Sequence, residues 1–297
     1  MYPDPKAPRR LGWLDVVIIV LVLALIAYVY GRVTDVLVYK WDWSFLPNFL
    51  LRFDEEAGSW QPNILLRGFF TTIRLSILAM ILASVVGLVM GVMRTASRLL
   101  PRLVAAAYVG LIRNIPPLVF IFVFYFFISS QIMPLLGIDR WARSLEGDGG
   151  WFVSFFLGEP KLIENLLSGI FCLAMYEAAY ITEIVRAGIQ AIPKGQIEAG
   201  ESLGLRRFDV FRDIVLPQAL QKMTPPLANQ FIMLIKNSAI VALISVQELT
   251  FLGTEIAVST RKPFETWITI AAMYFLLCYS LAWLFGRIER RTRRSER

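Results

Sequence analysis

The sequence contains no histidine, and this absence removes the side chain that most often serves acid–base catalysis and metal ligation. It also lacks the GxxxxGK[ST] pattern, so a P-loop for ATP is not predicted in this chain. Its two cysteines, Cys172 and Cys278, lie in apolar stretches and are interpreted as small hydrophobic residues rather than as a disulfide. We therefore expect no metal site, no cofactor of its own and no catalytic residues, which argues against a membrane enzyme.

Charged side chains are also scarce, at 18% of the 297 residues, while hydrophobic residues make up 57% and the mean hydropathy is +0.59. Soluble domains contain about 25% charged residues. Several apolar stretches of about twenty residues are long enough to cross the core of a bilayer. The composition predicts an all-α integral membrane protein, because a β-barrel would show short strands of alternating character instead.

Six membrane spans are predicted from the apolar stretches, at residues 11–30, 65–93, 103–130, 162–185, 223–244 and 264–285. A signal peptide is the alternative for the first stretch, which is long for one and has no clear cleavage site. Gly87 and Gly91 in the second span are expected to let another helix pack closely. Loops are predicted at 32–67, with a short interfacial helix, and at 131–161, while 245–263 is expected to be partly helical.

Lysine and arginine are distributed unequally between the two predicted sides of the membrane. We place both termini on one side of the membrane, together with residues 186–222. That side then carries about twice as many lysine and arginine residues as the opposite side. Cytoplasmic loops show such an excess. We therefore expect a multi-pass protein of the bacterial cytoplasmic (inner) membrane, with both termini and the 186–222 loop in the cytoplasm.

The 198–217 segment, EAGESLGLRRFDVFRDIVLP, is a polar stretch between two apolar ones. Its charges are too costly to place in hydrocarbon, so it is predicted to lie in water. Pro193 can start a helix, and Gly204 can end one in the left-handed conformation. A second short helix is predicted at 208–216. The small residues Ala199 and Gly200 would let the backbone of another protein approach closely.

This segment resembles the cytoplasmic signature of ABC importer permeases, which is EAA, three residues, a glycine, nine residues and then I-x-L-P. The matching positions are Glu198, Ala199, Gly200, Gly204, Ile214, Leu216 and Pro217. Gly200 stands where the family prefers a second alanine. The resemblance implies that two short helices dock on a partner ATPase, which binds ATP and Mg, and transmit its closure to the spans.

The resemblance extends over roughly residues 66–291 and is to the polar amino-acid branch of these permeases. YVGLIRNIPPL at 108–118 resembles the YVELFRGTPLL element of that branch. Further matching stretches are 68–75, 178–189, 195–196, 217–220 and 236–238. Residues 175–176 and 237–238 are similar to those of the general L-amino-acid and glutamate/aspartate transporters. The branch has five core spans, so the first span here is an addition.

The resemblance implies a type I ABC importer permease: a non-catalytic transmembrane subunit that carries polar amino acids. Its implied partners are cytoplasmic ATPase subunits, an external substrate-binding protein and a second permease chain of the same or another kind, without nucleic acid. The predicted organisation is an N-terminal part at 1–64, a permease domain at 65–291 and a basic tail at 292–297. The alternative is a stand-alone secondary transporter or channel, which often shows internal repeats; the sequence has no such repeat.

Polar residues inside the predicted spans are candidates for the substrate path, because a charge there costs about 2.5–3.5 kcal/mol on insertion scales. Lys236, Asn237 and Ser238 either line the cavity or form a hydrogen-bonded packing cluster in the dimer seam. Asn229, about two turns earlier, and its neighbour Gln230 are predicted to line the same path. Glu177 is interpreted as a partner for the substrate amino group, as a partner for Lys236, or as a buried protonated acid.

A second polar group, Arg113 and Asn114, precedes Pro116 and Pro117 in the predicted third span. Two prolines free backbone carbonyl groups, which a cavity or side chain must satisfy. The group is therefore either a flexible gate element or a structural kink, with Arg113 extending to the membrane surface.

Overall fold

The computed structural model describes residues 12–36, 39–55, 58–144 and 151–294. Within these residues, six helical segments are long and apolar enough to cross a membrane: Trp13–Arg32, Ile64–Thr95, Pro117–Leu135, Pro160–Gln190, Arg207–Ile244 and Pro263–Glu289. The six predicted spans and the all-α membrane class are confirmed, although several bounds differ. The predicted basic tail lies partly outside the described residues, since their last range ends at residue 294.

The described residues up to Trp43 belong to one unit, whose main element is α1, Trp13–Val36. The side chains of α1 that the structure describes are almost all exposed, and nearly all are apolar. A helix that is apolar on every side suits a membrane rather than water. After α1, Trp41 stacks on Trp43 with ring centroids 5.9 Å apart.

The second unit, Ser44–Arg297, begins with a short helix and a hairpin. Helix α2 is Leu46–Leu50, and strands β1, Leu51–Asp54, and β2, Ser59–Pro62, pair antiparallel with Phe53 opposite Trp60. The expected short helix in this region is present. The hairpin was not predicted, because four-residue strands are too short to show a clear alternation of apolar and polar residues.

The core forms where α3, Ile64–Thr95, packs along α9, Ile163–Gln190. A Cβ on Gly87 would lie 2.6 Å from Ile181 Cγ2, and one on Gly91 would collide with Val185. The two glycines therefore let the helix backbones approach closely, as the sequence predicted. This contact sets the position of α9, which carries Glu177.

The third span begins later than predicted, because the helix breaks before Pro117. Helix α4 is Leu99–Arg113, and Pro116 follows in an extended conformation with φ −55° and ψ 139°. A residue that precedes a proline avoids the α-helical region. The span then consists of α5, Pro117–Phe124, a π-helical turn, Tyr125–Ser129, and α6, Ser130–Leu135. The predicted third span is therefore present, but its predicted start at residue 103 is wrong.

The predicted loop at 131–161 contains short helices. These are the end of α6, then α7, Ile138–Ser144, α8, Trp151–Leu157, and a 3-10 turn, Pro160–Leu162. Each is too short to give a recognisable helical period in the sequence, so the loop prediction was wrong here.

The C-terminal half contains α10, Lys194–Ser202, and α11, Arg207–Asp209, followed by a π-helical turn, Val210–Val215. Then come α12, Leu216–Asn237, a 3-10 segment, Ser238–Ile244, α13, Leu249–Thr260, and α14, Pro263–Arg294. Helix α12 packs against α9 on one side and α14 on another. The expectation that 245–263 is partly helical is confirmed by α13.

We expect Gly91→Leu to lower the stability of the protein, because its side chain would enter the closely packed α3–α9 contact. Overpacking of this kind costs about 1–3 kcal/mol. Thermal unfolding in detergent measures the effect. Gly110→Leu on α4 is the matched control, since a Cβ at Gly110 meets nothing within 4 Å. Equal melting temperatures for the two variants would contradict the close-packing role.

Candidate functional site

The 198–217 segment folds as a helical hairpin that turns at Gly204. Gly204 has φ +76°, its N–H donates to Glu201 O at 3.0 Å, and Leu205 N–H donates to Gly200 O at 3.2 Å. These two bonds close a Schellman motif, in which a left-handed glycine satisfies the last carbonyl groups of a helix. The predicted helix end at Gly204 is confirmed, and α10 begins directly after Pro193.

Gly200 faces the inside of this hairpin rather than a partner. It is buried, and a Cβ there would lie 2.7 Å from Ile214 Cδ1 and 3.1 Å from Val210 Cγ2. The interpretation that Gly200 admits another protein's backbone is therefore wrong, because the second arm of the hairpin already occupies that space. Ala199, one residue earlier, is exposed and leaves its side of α10 free.

The second arm of the hairpin does not end near Leu216 as predicted. It runs through the π-helical turn directly into α12, and Leu216 N–H donates to Phe211 O across the wide turn. Pro217 lies at the start of α12, next to this turn. A π turn changes the hydrogen-bond register, which lets the helix continue past a residue without an N–H. The hairpin and the fifth span are thus one continuous helical element.

The outer surface of the hairpin carries large apolar side chains. Leu203 is 80% exposed and Phe208 is 69% exposed, and both lie near the Gly204 turn. The signature residues other than Gly200 fall into two groups by exposure. The exposed ones are Glu198, Ala199, Gly204 and Pro217, and the half-buried ones are Ile214 and Leu216. Exposed apolar groups among charges on a polar segment are typical of a protein-docking surface. Sequence reasoning had not singled out Leu203 or Phe208, although both interrupt a charged stretch.

Two ion pairs lie at the ends of α3 and α9 near the hairpin. Within α9, Arg186 Nη2 lies 2.7 Å from Glu183 Oε2. Arg94 Nε at the end of α3 lies 3.4 Å from Glu183 Oε1. The second contact joins α3 to α9 near the end of α9 from which the chain continues into the hairpin.

The carboxylate of Glu177 lies fully buried between α9 and α12. Gln230 Nε2 donates to its Oε2 at 2.5 Å, and Asn237 Nδ2 donates to its Oε1 at 2.8 Å. Gln230 and Asn237 are seven residues apart, so they share one face of α12. A carboxylate inside a membrane protein needs such donors, since an unpaired charge there is costly. We call these three residues the polar cluster.

The structure separates the other candidates of the fifth span from this cluster. Lys236 is exposed and lines a cleft of about 410 Å³ with residues of α14 such as Cys278 and Tyr279. The suggested Glu177–Lys236 pair is therefore wrong, because one residue along a helix turns the side chain by about 100°. Asn229 is exposed, and Ser238 is buried and donates to Ile235 O at 2.7 Å.

Arg113 and Asn114 lie at the helix break rather than inside a span. The Arg113 guanidinium stacks over the ring of Tyr180 at 5.2 Å, and Asn114 Nδ2 donates to Gly110 O at 2.6 Å. Both side chains are exposed. This geometry agrees with the structural kink that was one of the two interpretations.

Sequence reasoning missed a second buried carboxylate, Glu248, at the start of α13. Its Oε1 accepts from Phe251 N–H at 2.8 Å, and its Oε2 accepts from Tyr274 Oη at 2.7 Å and lies 3.3 Å from Thr72 Oγ1. It thereby caps α13 and joins α3 and α14. Glutamate is outside the usual N-cap residues, so the standard signal for a helix start was absent.

Comparison with known proteins gives the class. Residues 83–294 match the family model described as "Binding-protein-dependent transport system inner membrane component". The chain therefore belongs to this family, and the match includes the hairpin and all three residues of the polar cluster. Helix α1 lies outside the matched residues.

Individual relatives are permeases of amino-acid transporters. The chain is 31% identical over 228 residues to the "Probable glutamine ABC transporter permease protein GlnM" of Bacillus subtilis, covering 77% of this chain and 93% of the relative. It is 33% identical over 199 residues to the "Arginine ABC transporter permease protein ArtQ" of Escherichia coli K12, covering 65% and 79%.

A solved structure shares the fold as well as the sequence pattern. The chain matches the crystal structure of an amino acid ABC transporter with histidines at 31% identity and a TM-score of 0.61, covering 77% of this chain and 94% of that one. An inward-facing structure of the MetNI methionine ABC transporter matches at 21% identity and a TM-score of 0.57, which shows the fold alone.

We expect Gly204→Ala to loosen the hairpin, because a residue with a Cβ pays about 1–2 kcal/mol in the left-handed conformation. Gly195→Ala is the matched control: that glycine lies inside α10, where alanine is favoured by about 0.5–1 kcal/mol. Hydrogen exchange of peptides covering the two arms gives the comparison. Faster exchange in the Gly195 variant than in the Gly204 variant would contradict the Schellman turn.

Proposed function

We propose that this chain is the membrane-spanning permease subunit of an ATP-binding cassette importer that carries polar amino acids into the cell. The observation that carries the proposal is the continuous helical element that begins at the exposed hairpin and ends at the polar cluster. The relatives named as glutamine and arginine permeases support the substrate class.

The hairpin is the proposed docking site for a cytoplasmic ATPase subunit. Its exposed Leu203 and Phe208 would enter an apolar groove of the partner, with the flanking charges around them. ATP and Mg would then be bound by that partner, and ATP hydrolysis would occur there rather than in this chain. The excess of lysine and arginine on the hairpin side supports a cytoplasmic position for the hairpin and both termini.

Movement of the docked hairpin would reach the polar cluster directly. From Phe208 to Gln230 the helical element covers 22 residue steps, which is about 33 Å at the 1.5 Å rise of an α-helix. Because Gly200 packs on Ile214, the two arms of the hairpin move together. A displacement of α12 relative to α9 would break or remake the hydrogen bonds of Glu177.

The polar cluster is the proposed part of the substrate path in this chain. Its carboxylate and two amide groups match the charged and hydrogen-bonding groups of a polar amino acid, with Glu177 suited to an ammonium group. Lys236, Asn229, Ser238, Arg113 and Asn114 remain predictions for the path. Their positions outside the cluster make them useful comparison residues.

A complete transporter would contain two permease chains, two ATPase subunits and an external substrate-binding protein. One chain supplies one hairpin, so a pair of ATPases requires a second permease, either a copy of this chain or a sister chain. The cleft between Lys236 of α12 and the residues of α14 is one surface where a second chain could pack.

We expect Leu203→Ser combined with Phe208→Ser to abolish ATP-dependent uptake, because both apolar anchors of the hairpin are lost. Uptake of radiolabelled amino acids, tested one by one in proteoliposomes with the ATPase and binding protein, measures this effect. Leu136→Ser, at a residue that is 66% exposed far along the chain from the hairpin, is the matched control. Uptake that persists in the double variant, or that requires no ATPase, would favour a stand-alone transporter.

We expect Glu177→Gln to lower uptake by about tenfold or more, since a hydrogen bond to a charged group contributes about 1.5–3 kcal/mol. The same proteoliposome assay measures the rate, and thermal unfolding checks that the variant is folded. Lys236→Ala is the comparison, because its side chain faces α14. If both variants transport like the unmodified chain, the cluster has only a packing role.

A further inference from the structure

A second polar site lies at the opposite end of α3 and α9 from the hairpin. There, the N-terminal parts of both helices, the 157–160 turn and the start of α13 surround a cavity of about 480 Å³. Its polar lining residues are Gln61, Arg67, Thr71, Arg74, Glu159, Asn165 and Gln247. Small-molecule sites in proteins start at about 300 Å³ and place a few polar groups among apolar walls. The cavity meets both conditions, since Phe70 and Leu166 also line it.

The two arginines of this cavity differ in their contacts. Arg67 is satisfied: its Nη1 lies 3.1 Å from Glu159 Oε1 and its Nε donates to Pro62 O at 3.2 Å. Arg74, two helical turns further into the membrane, is half-buried, and among the described residues it has no hydrogen-bond or ion-pair partner. It lies beside Gly158, where an added Cβ would be 3.3 Å from Arg74 Nη1.

An unpaired guanidinium at this depth requires an anion or water. Arg74 lies ten residues into α3, about 15 Å along the helix from its start. Guanidinium groups bind carboxylates through two parallel hydrogen bonds. Gly158 adopts the left-handed conformation (φ +82°) and has no side chain, so the side of the Arg74 guanidinium that faces Gly158 stays open. Any other residue at this position would bring a Cβ to 3.3 Å from Arg74 Nη1.

The rest of the lining distinguishes between possible anions. Glu159 Oε1 pairs with Arg67, and Glu159 Oε2, which has no partner among the described residues, can accept from an ammonium group, which the phosphate of an anionic lipid lacks. Amide side chains of Asn165 and Gln247 offer both donors and acceptors. A cavity with an unpaired cation, an anion and amides fits a free amino acid, which carries a carboxylate and an ammonium on one carbon.

We propose that this cavity is an entry site that binds a free amino acid before it reaches the polar cluster, with its carboxylate on Arg74 and its ammonium group near Glu159. The inference rests on the proposed import of amino acids. With the hairpin in the cytoplasm, the cavity opens on the external side, where a binding protein would release its cargo. Asn165 also donates to Ser245 O at 3.4 Å, so the site touches the segment that leads to α13.

The test uses a reporter cysteine in the assembled transporter in nanodiscs. Thr71→Cys places a thiol in the cavity wall, and Cys278→Ala removes the more accessible of the two native cysteines, since Cys172 is buried. The rate of labelling by a charged thiosulfonate is measured with L-glutamine, L-arginine or L-glutamate in excess over the binding protein. Agmatine, which is arginine without its carboxylate, is the ligand control.

At least one of the three amino acids is expected to slow the labelling, and agmatine is expected to have no effect. Arg74→Gln should raise the half-protecting concentration by about tenfold or more, as expected for loss of a charge-assisted bond. The Arg74→Lys variant keeps the charge, so its half-protecting concentration should lie between those of the unmodified chain and of Arg74→Gln. Protection in this variant also shows that the site tolerates substitution. Equal protection with and without Arg74 would overturn the proposal.

Two further outcomes also count against the entry site. Labelling that depends on phosphatidylglycerol rather than phosphatidylcholine in the nanodisc, with no effect of amino acids, would assign Arg74 to a lipid phosphate. Absence of any protection by the three amino acids, in a transporter that imports one of them, would overturn the entry site while leaving the importer function intact. Absence of ATP-dependent uptake by the unmodified transporter would instead overturn the proposed function.

Discussion

The structure depends on one constraint: polar groups that leave water inside the membrane must find partners within the protein. Glu177 meets it through two amide donors on α12, and Glu248 meets it through a backbone N–H, a tyrosine and a threonine. Each carboxylate therefore joins helices that are distant in the sequence. Arg74 has no hydrogen-bond or ion-pair partner among the described residues, and it lies in the cavity that Glu159 and Asn165 also line.

Close packing connects the hairpin and the polar cluster through α3, α9 and α12. The glycines on α3 hold α9 in place, and Arg94 and Arg186 meet Glu183 at the end near the hairpin. Helix α12 packs against α9 and is continuous with the second arm of the hairpin. The polar cluster lies between α9 and α12, so its hydrogen bonds join the α3–α9 pair to this element.

Much of the architecture could be predicted from composition and local chemistry. Stretches of apolar residues located the six spans, and the spacing around Gly204 predicted both the turn and the family. Predictions were wrong at the prolines. Pro116 was placed inside a span but ends one helix before the next begins, whereas Pro217 was expected to end a helix but is accommodated by a π turn. A proline has the same local properties in both places, and only its surroundings decide between a break and a continuation.

The candidate site was predicted in its residue types but not in its pairings. Glu177 and Asn237 were among the candidates, yet Lys236, one of the partners suggested for Glu177, faces a different helix. The sequence by itself determined that the chain spans the membrane and that its signature defines a transporter family, and it predicts that the hairpin lies in water, because these depend on local hydrophobicity and spacing. The tertiary structure alone decided which polar groups meet, because a rotation of about 100° per residue makes every pairing depend on how the helices pack.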